Sequence, residues 1–124
     1  MMRNLLIVAL GGGVGSALRY LIQETIHKQF DHITPYGTFV VNMMGCFLIG
    51  LFMGWVENEK YLTETTNLLL ISGFCGGFTT FSTFAMQSDG LMLDHKPVQA
   101  IIYIGLSVMV GMALAYVGLK LGKS

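Results

Sequence analysis

Charged side chains are scarce in this chain. Only 11% of its 124 residues are Asp, Glu, Lys or Arg, the acidic and basic residues balance to zero net charge, and 53% of the residues are hydrophobic. An average soluble domain carries about 25% charged residues. The composition therefore disfavours a soluble domain. Because the chain has no net positive charge, a nucleic-acid partner is also disfavoured. We expect an integral membrane protein whose surroundings are a lipid bilayer.

Residues that could form a disulfide framework, a metal site or a catalytic group are also few. The chain has two cysteines, Cys46 and Cys75, both within apolar runs. We expect them to be small packing residues, not a disulfide or metal pair. The three histidines lie outside the apolar runs, and no Ser/His/Asp arrangement is visible. We therefore expect a protein that is not an enzyme.

Four long apolar runs are separated by short charged segments, and each run is close to the roughly 20 residues that a membrane-crossing helix needs. Pro35 and Pro97 come just before the second and fourth runs, where proline is tolerated. No small-residue cleavage site follows the first run, so we interpret it as a retained helix and not a signal peptide. The sequence predicts an all-α integral membrane domain over residues 1–124. Its four transmembrane helices are predicted at about 5–26, 38–57, 67–88 and 98–119.

The third run contains residues that are poor at continuing a helix. Gly76 and Gly77 are followed by Thr79 and Thr80. We predict a break in the third helix here. Backbone groups freed at membrane depth cost several kcal/mol each unless they meet polar partners, so such a break is tolerated where it is buried in protein or lines a cavity. This pattern favours a transport pathway over a simple anchor.

Two polar residues inside the apolar runs allow two interpretations each. Asn42 lies one turn after Thr38 on the same helix face. Its amide could join two helices, or it could donate a hydrogen bond to a passing solute. Arg19 could extend to the membrane interface, or it could attract anions into a water-filled vestibule.

Phenylalanines alternate with hydroxyl side chains in the second half of the third run. Phe78, Phe81 and Phe84 recur every three residues, and Thr79, Thr80, Ser82 and Thr83 lie between them. A stripe of aromatic residues in a membrane protein usually packs against neighbouring helices. The edges of phenyl rings, however, carry partial positive charge. Together with hydroxyl donors, such edges would suit a small anion that must lose its hydration water. Tyr103 and Ser107 add hydroxyls one turn apart in the fourth run. No carboxylate lies deep in any run, which disfavours a proton-coupled exporter.

The chain contains several pairs of small residues at four-residue spacing, which allow helix backbones to approach closely. For each pair, packing within one chain is the simpler interpretation, but their number favours at least a dimer. The pairs are Gly11/Gly15, Gly50/Gly54 and Gly73/Gly77, with Ser107, Gly111 and Ala115 in the fourth run. The Lys and Arg residues of the connecting segments and termini divide four against two between the two membrane sides, a weak bias that could permit insertion in both orientations.

Three blocks of the sequence resemble the Fluc (CrcB) family of fluoride channels. They are Gly11–Tyr20, Gly37–Gly45 and Gly73–Phe84. The resemblance implies an antiparallel, dual-topology homodimer with two pores, in the bacterial plasma (inner) membrane. It also implies passive export of fluoride, which protects the cell from fluoride toxicity.

The resemblance also implies roles for individual residues. Phe81 and Phe84 would contact fluoride, Asn42 would line the pore beside them, and Arg19 would lie in the vestibule. The polar track of the pore would comprise Thr38, Ser82, Thr83, Tyr103 and Ser107. Backbone carbonyls of Gly76 and Thr79 would bind a structural sodium ion at the dimer centre. The chain departs from the family at Cys46, where serine is common, and at Gly111, where some members have another serine.

Two other classes of membrane protein remain as alternatives. A small multidrug-resistance-type exporter also has four spans, but it needs a buried carboxylate in the first span, and Leu5–Ile22 has none. A scaffold subunit would explain the small-residue pairs but not the segment rich in hydroxyl and phenyl groups.

Overall fold

The computed structural model describes residues 1–29, 35–58 and 63–124, and this part of the chain is helical almost throughout. Four helical stretches are long and apolar enough to cross a membrane. They are Met2–Gln29, Tyr36–Glu57, Glu64–Leu93 and Pro97–Lys123. The prediction of an all-α, multi-pass membrane protein with four spans is thus confirmed. Each stretch is longer than the predicted span, because the helices continue into the polar segments.

We label the helices α1 (Met2–Gln29), α2 (Tyr36–Glu57), α3 (64–78), α4 (Phe81–Leu93) and α5 (Pro97–Lys123). Thr63 is the N-cap of helix α3, and its side chain accepts a hydrogen bond from the Thr66 amide (3.2 Å). Its middle, Leu68–Cys75, is π-helical, a form found mostly as short bulges in α-helices, often at functional sites.

The third membrane span is broken between α3 and α4, as the glycines and threonines predict. Thr79 (φ −87°, ψ 156°) and Thr80 (φ −146°, ψ 117°) are both extended. Helix α4 then starts with Thr80 as its N-cap, whose hydroxyl accepts a hydrogen bond from the Thr83 amide (3.3 Å). The threonine pair therefore ends one helix and begins the next.

Glycines bring α1 against α3, and the two helices run parallel. A Cβ at Gly11 would overlap the Leu69 carbonyl oxygen, and one at Gly15 would overlap the Phe74 carbonyl oxygen. The backbones are therefore in direct contact along this seam. Two of the small-residue pairs, Gly11/Gly15 and Gly73/Gly77, therefore serve the packing of α1 against α3 within the chain.

Helix α2 packs along α5 in the same way, again in parallel. A Cβ at Gly50 would overlap the backbone of Ala115, and one at Gly54 would lie 2.6 Å from the Leu119 carbonyl oxygen. The small-residue pairs thus pack within one chain, so they give no support for a dimer. The dimer inferred from their number is not contradicted by this packing and stays a prediction, because the sequence does not show which helices meet.

Both chain termini lie at the same end of the helix bundle. Near the N-terminus, Arg3 donates a hydrogen bond to the hydroxyl of Thr65 at the start of α3. Near the C-terminus, Lys123 forms an ion pair with Glu57 at the end of α2 (2.8 Å). The direction of α1 therefore fixes the orientation of the whole chain.

The buried core of the described residues is formed by few large side chains. Among these residues, the largest that are almost fully buried are Phe78, Val41, Thr38 and Cys75. Many long apolar side chains on α1 and α5 point outward, including Leu10, Leu21, Met109 and Met112. In a membrane these side chains contact lipid or another protein.

Candidate functional site

The backbone at the helix break is bound by an amide side chain from α2. The Oδ1 atom of Asn42 accepts a hydrogen bond from the Thr80 amide (2.9 Å), and its Nδ2 atom donates one to the Thr80 carbonyl (3.1 Å). One side chain thus satisfies both backbone groups of a residue that has left helical geometry. This role explains how an unpaired backbone is tolerated at membrane depth.

A second set of contacts reaches the break from α1. The Gly77 carbonyl accepts hydrogen bonds from the Arg19 Nε atom (3.1 Å) and from the Ser16 hydroxyl (3.4 Å). The guanidinium therefore lies at the C-terminal end of α3, where the helix dipole favours a positive charge. The structure places Arg19 against the break, and this contact was not among the interpretations of the sequence.

Two carbonyl oxygens at the break lose their helical partners. The Thr80 amide bonds to Asn42 instead of the Gly76 carbonyl, and the Thr83 amide bonds to the Thr80 hydroxyl instead of the Thr79 carbonyl. Among the hydrogen bonds of the described residues, none reaches either carbonyl oxygen. Uncharged oxygens of this kind are ligands for hard cations.

A cavity of about 390 Å³ lies beside the break, between α2, the two halves of the third span and α5. Its wall is largely apolar, with a few polar groups, the arrangement typical of ligand sites. The predicted site residues that line it are Asn42, Thr79, Phe81, Phe84 and Ser107. Residues from four helices thus meet around one space.

The two phenylalanines of α4 form the aromatic part of this wall. Their ring centroids are 5.7 Å apart, and the Phe84 ring also lies 5.1 Å from the Tyr103 ring on α5. Phe84 is partly buried, whereas the Phe81 side chain is 78% exposed. The Phe84 ring is therefore held by contacts within the chain, whereas most of the Phe81 ring is not covered by the chain.

The remaining predicted site residues do not line this cavity. They are Arg19, Thr38, Gly76, Ser82, Thr83 and Tyr103. The Thr38 hydroxyl accepts a hydrogen bond from Gln23 Nε2 (3.0 Å), and the Tyr103 hydroxyl donates one to Gln87 Oε1 (3.3 Å). Thr83 contacts the Thr80 hydroxyl through its own hydroxyl (3.2 Å), and Ser82 is exposed.

Three polar residues with contacts to these groups were missed from the sequence: Ser16, Gln23 and Gln87. Helical spacing gives the signal that could have found them. Gln23 follows Arg19 by four residues, and Gln87 follows Phe84 by three, so each pair shares a helix face. An amide in an apolar run needs a polar partner, so each glutamine indicates a hydrogen bond to a neighbouring helix.

Comparison with known proteins identifies the family. Residues 6–119 match the family described as CrcB-like protein, Camphor Resistance (CrcB). The chain is 42% identical over 122 residues to a protein of Flavobacterium psychrophilum named fluoride-specific ion channel FluC, an alignment that covers 98% of each chain. It is 42% identical over 120 residues to the protein of that name from Oceanobacillus iheyensis, covering 97% of this chain and 92% of the relative. It is 39% identical over 122 residues to the Chloroflexus aurantiacus protein of the same name, an alignment that covers 98% of this chain and 97% of the relative. This chain belongs to the CrcB family.

Proposed function

We propose that this protein is a fluoride-selective ion channel, and not an enzyme, that lets fluoride leave the cytoplasm passively and so protects the cell. Relatives that match almost its whole length carry the name of a fluoride-specific ion channel. The observation that carries the proposal is the cavity at the helix break. It is lined by an amide, hydroxyls and two phenyl rings, and no carboxylate is among its lining residues.

The chemistry of this wall suits an anion that must give up water and then leave again. One Nδ2 hydrogen of Asn42 is directed at the Thr80 carbonyl, which leaves the second hydrogen for a ligand. The Ser107 hydroxyl is a further uncharged hydrogen-bond donor, and the phenyl rings offer edges with partial positive charge. Because none carries a full charge, binding stays weak enough for release.

The hydroxyl track extends this wall towards the end of the bundle where α2 begins. Ser82 and Thr83 follow Phe81, Tyr103 packs on Phe84, and Thr38 lies one turn before Asn42. Arg19 raises the local concentration of anions in the vestibule. Its hydrogen bond to Gly77 uses one of five guanidinium N–H groups, so its positive charge remains able to attract an anion.

The pore is completed by a second copy of the chain in antiparallel orientation. Phe81 is largely exposed at the open side of the cavity, and a Cβ at Gly76 would have no other atom within 4 Å. A partner that covers this face would give two pores, each lined by both chains. The weak charge bias between the two sides of the membrane is compatible with both orientations.

We also propose a structural sodium ion at the dimer centre. The Gly76 and Thr79 carbonyl oxygens have the chemistry of a hard-cation site, and an antiparallel partner would supply the same two oxygens again. The ion would hold the two helix breaks together and would not be transported. The proposed location is the bacterial plasma membrane, because the matching relatives come from bacteria.

Fluoride efflux from liposomes that contain the purified protein tests the function. A fluoride electrode should record rapid release, while parallel liposomes loaded with chloride should release little. No fluoride release from folded, dimeric protein would contradict a channel. Release that occurs only under a proton gradient would favour the proton-coupled exporter instead.

A further inference from the structure

Two thiols line the cavity at the helix break. Cys46 is on α2 and Cys75 is on α3. The third span runs antiparallel to α2, with Asn42 bonded to Thr80 and Gly45 against Thr79. Cys46 follows Asn42 by four residues and Cys75 precedes Thr79 by four residues, so both thiols lie on the same side of the break. Both line the same cavity, from two different helices.

The cavity wall around these thiols is mostly apolar and includes a further sulfur atom. The Cβ position of Gly111 lies 3.2 Å from the Cys46 Sγ atom and 4.0 Å from the Met43 Sδ atom, so a thioether lies near the first thiol. The thiols form no disulfide. None of these sulfur atoms has a part in the proposed fluoride pathway.

We propose that Cys46 and Cys75 form a chelating site for a soft divalent metal ion of the mercuric type. In binding, Hg²⁺ forms two Hg–S bonds, each thiol loses its proton to water, and no electron is transferred. The product, one divalent cation with two thiolates, is electrically neutral. A neutral complex is tolerated in an apolar cavity, whereas a monovalent soft ion between two thiolates would leave a net negative charge.

The different burial of the two thiols sets the order of binding. Cys46 is partly exposed, whereas Cys75 is only 2% exposed. The ion therefore bonds to Cys46 first, and the bond to Cys75 then closes the chelate and links α2 to α3. Because Asn42, Phe81 and Phe84 line the same cavity, the bound ion obstructs it. The effect on fluoride flux rests on the proposed function, but the metal site itself does not.

Metal retention by the full-length protein tests the site directly. Purified protein is treated with one equivalent of mercuric chloride, passed over a gel-filtration column in about a hundredfold excess of 2-mercaptoethanol, and analysed for mercury. Two tethered thiols act at a high effective concentration, so they should outcompete the free monothiol. The unaltered protein should retain one mercury per chain.

Single variants separate a chelate from a simple thiol adduct. Cys46→Ala and Cys75→Ala should each lose nearly all of the mercury to the monothiol. If an alanine variant is not monodisperse, the corresponding serine variant, Cys46→Ser or Cys75→Ser, replaces it in the test. Retention by either single variant at the level of the unaltered protein would overturn the proposal. Loss of mercury from the unaltered protein would do the same.

Flux measurements then test the consequence for transport, with each protein compared with itself before and after mercury. We expect mercury to reduce fluoride efflux of the unaltered protein by about tenfold or more. The double variant contains no thiol, since the chain has two cysteines, and its efflux should not respond. An equal response of the double variant would refute obstruction at this site. Absence of fluoride efflux before mercury is added would count against the channel, while the mercury content would still test the site.

Discussion

At the scale of single residues, the Asn42 amide holds the backbone of the helix break and has the geometry for the proposed role in transport. Its oxygen accepts from the Thr80 amide, and its nitrogen donates to the Thr80 carbonyl. The sequence left these two roles as alternatives, but the geometry makes them compatible, since one Nδ2 hydrogen is still available to the cavity.

Asn42→Asp should abolish most fluoride flux. The oxygen contact to the Thr80 amide survives, but a second carboxylate oxygen then faces the Thr80 carbonyl, and the unsatisfied carbonyl costs about 1–3 kcal/mol. The negative charge also repels an anion in the cavity. Efflux from liposomes should fall at least about tenfold, the equivalent of about 1.4 kcal/mol in the barrier. Flux that survives in the aspartate variant would exclude Asn42 from the pore.

Phe81→Ile should also reduce fluoride efflux strongly while the protein remains folded. The ring is 78% exposed at the cavity, so its loss removes a phenyl edge but little packing within the chain. Phe74→Ile is the matched control, because the Phe74 ring stacks on Phe78 away from the cavity wall (5.5 Å between centroids). We expect efflux about tenfold or more lower for the first variant than for the second. Equal efflux would mean that any bulky apolar side chain suffices at position 81.

At the scale of helices, the sequence predicts where the third span breaks but not what holds the break. Glycine and threonine propensities are local, so Gly76, Gly77, Thr79 and Thr80 carry that signal themselves. The partners of the break come from α1 and α2, dozens of residues away, and no local pattern encodes them. The contact of Arg19 with Gly77 could therefore be found only from the three-dimensional structure.

Glycines on α5 offer a matched test of the helix seams. A Cβ at Gly118 would lie 2.8 Å from the Leu51 amide nitrogen and would overlap the Phe47 carbonyl oxygen, whereas a Cβ at Gly105 would meet no atom within 4 Å. Gly118→Ala should therefore destabilise the protein by about 1–3 kcal/mol. Gly105→Ala should be neutral or slightly stabilising, because alanine favours a helix. Thermal unfolding in detergent measures both, and equal stability of the two variants would contradict the close packing of α2 on α5.

At the scale of the whole molecule, the structure changes the argument for self-association. The small-residue pairs are used within the chain, at the seams of α1 with α3 and of α2 with α5. What favours a partner is instead the uncovered face around Gly76 and Phe81, where the cavity opens. The sequence could not separate these cases, because the same small residues serve both kinds of contact.

The arrangement of the termini makes the proposed dual topology measurable with a single label. Because Arg3 reaches Thr65 and Lys123 reaches Glu57, both termini are at one end of the bundle, and a tag on either one reports the orientation of the chain. In an antiparallel dimer, an impermeant reagent should reach the tag on about half of the chains in sealed cells, since the charge bias is weak. Tags at the N-terminus and C-terminus should give the same fraction. If all chains show their termini on one side, an antiparallel homodimer is excluded, and the open face around Phe81 must then meet lipid, a parallel copy or a different protein.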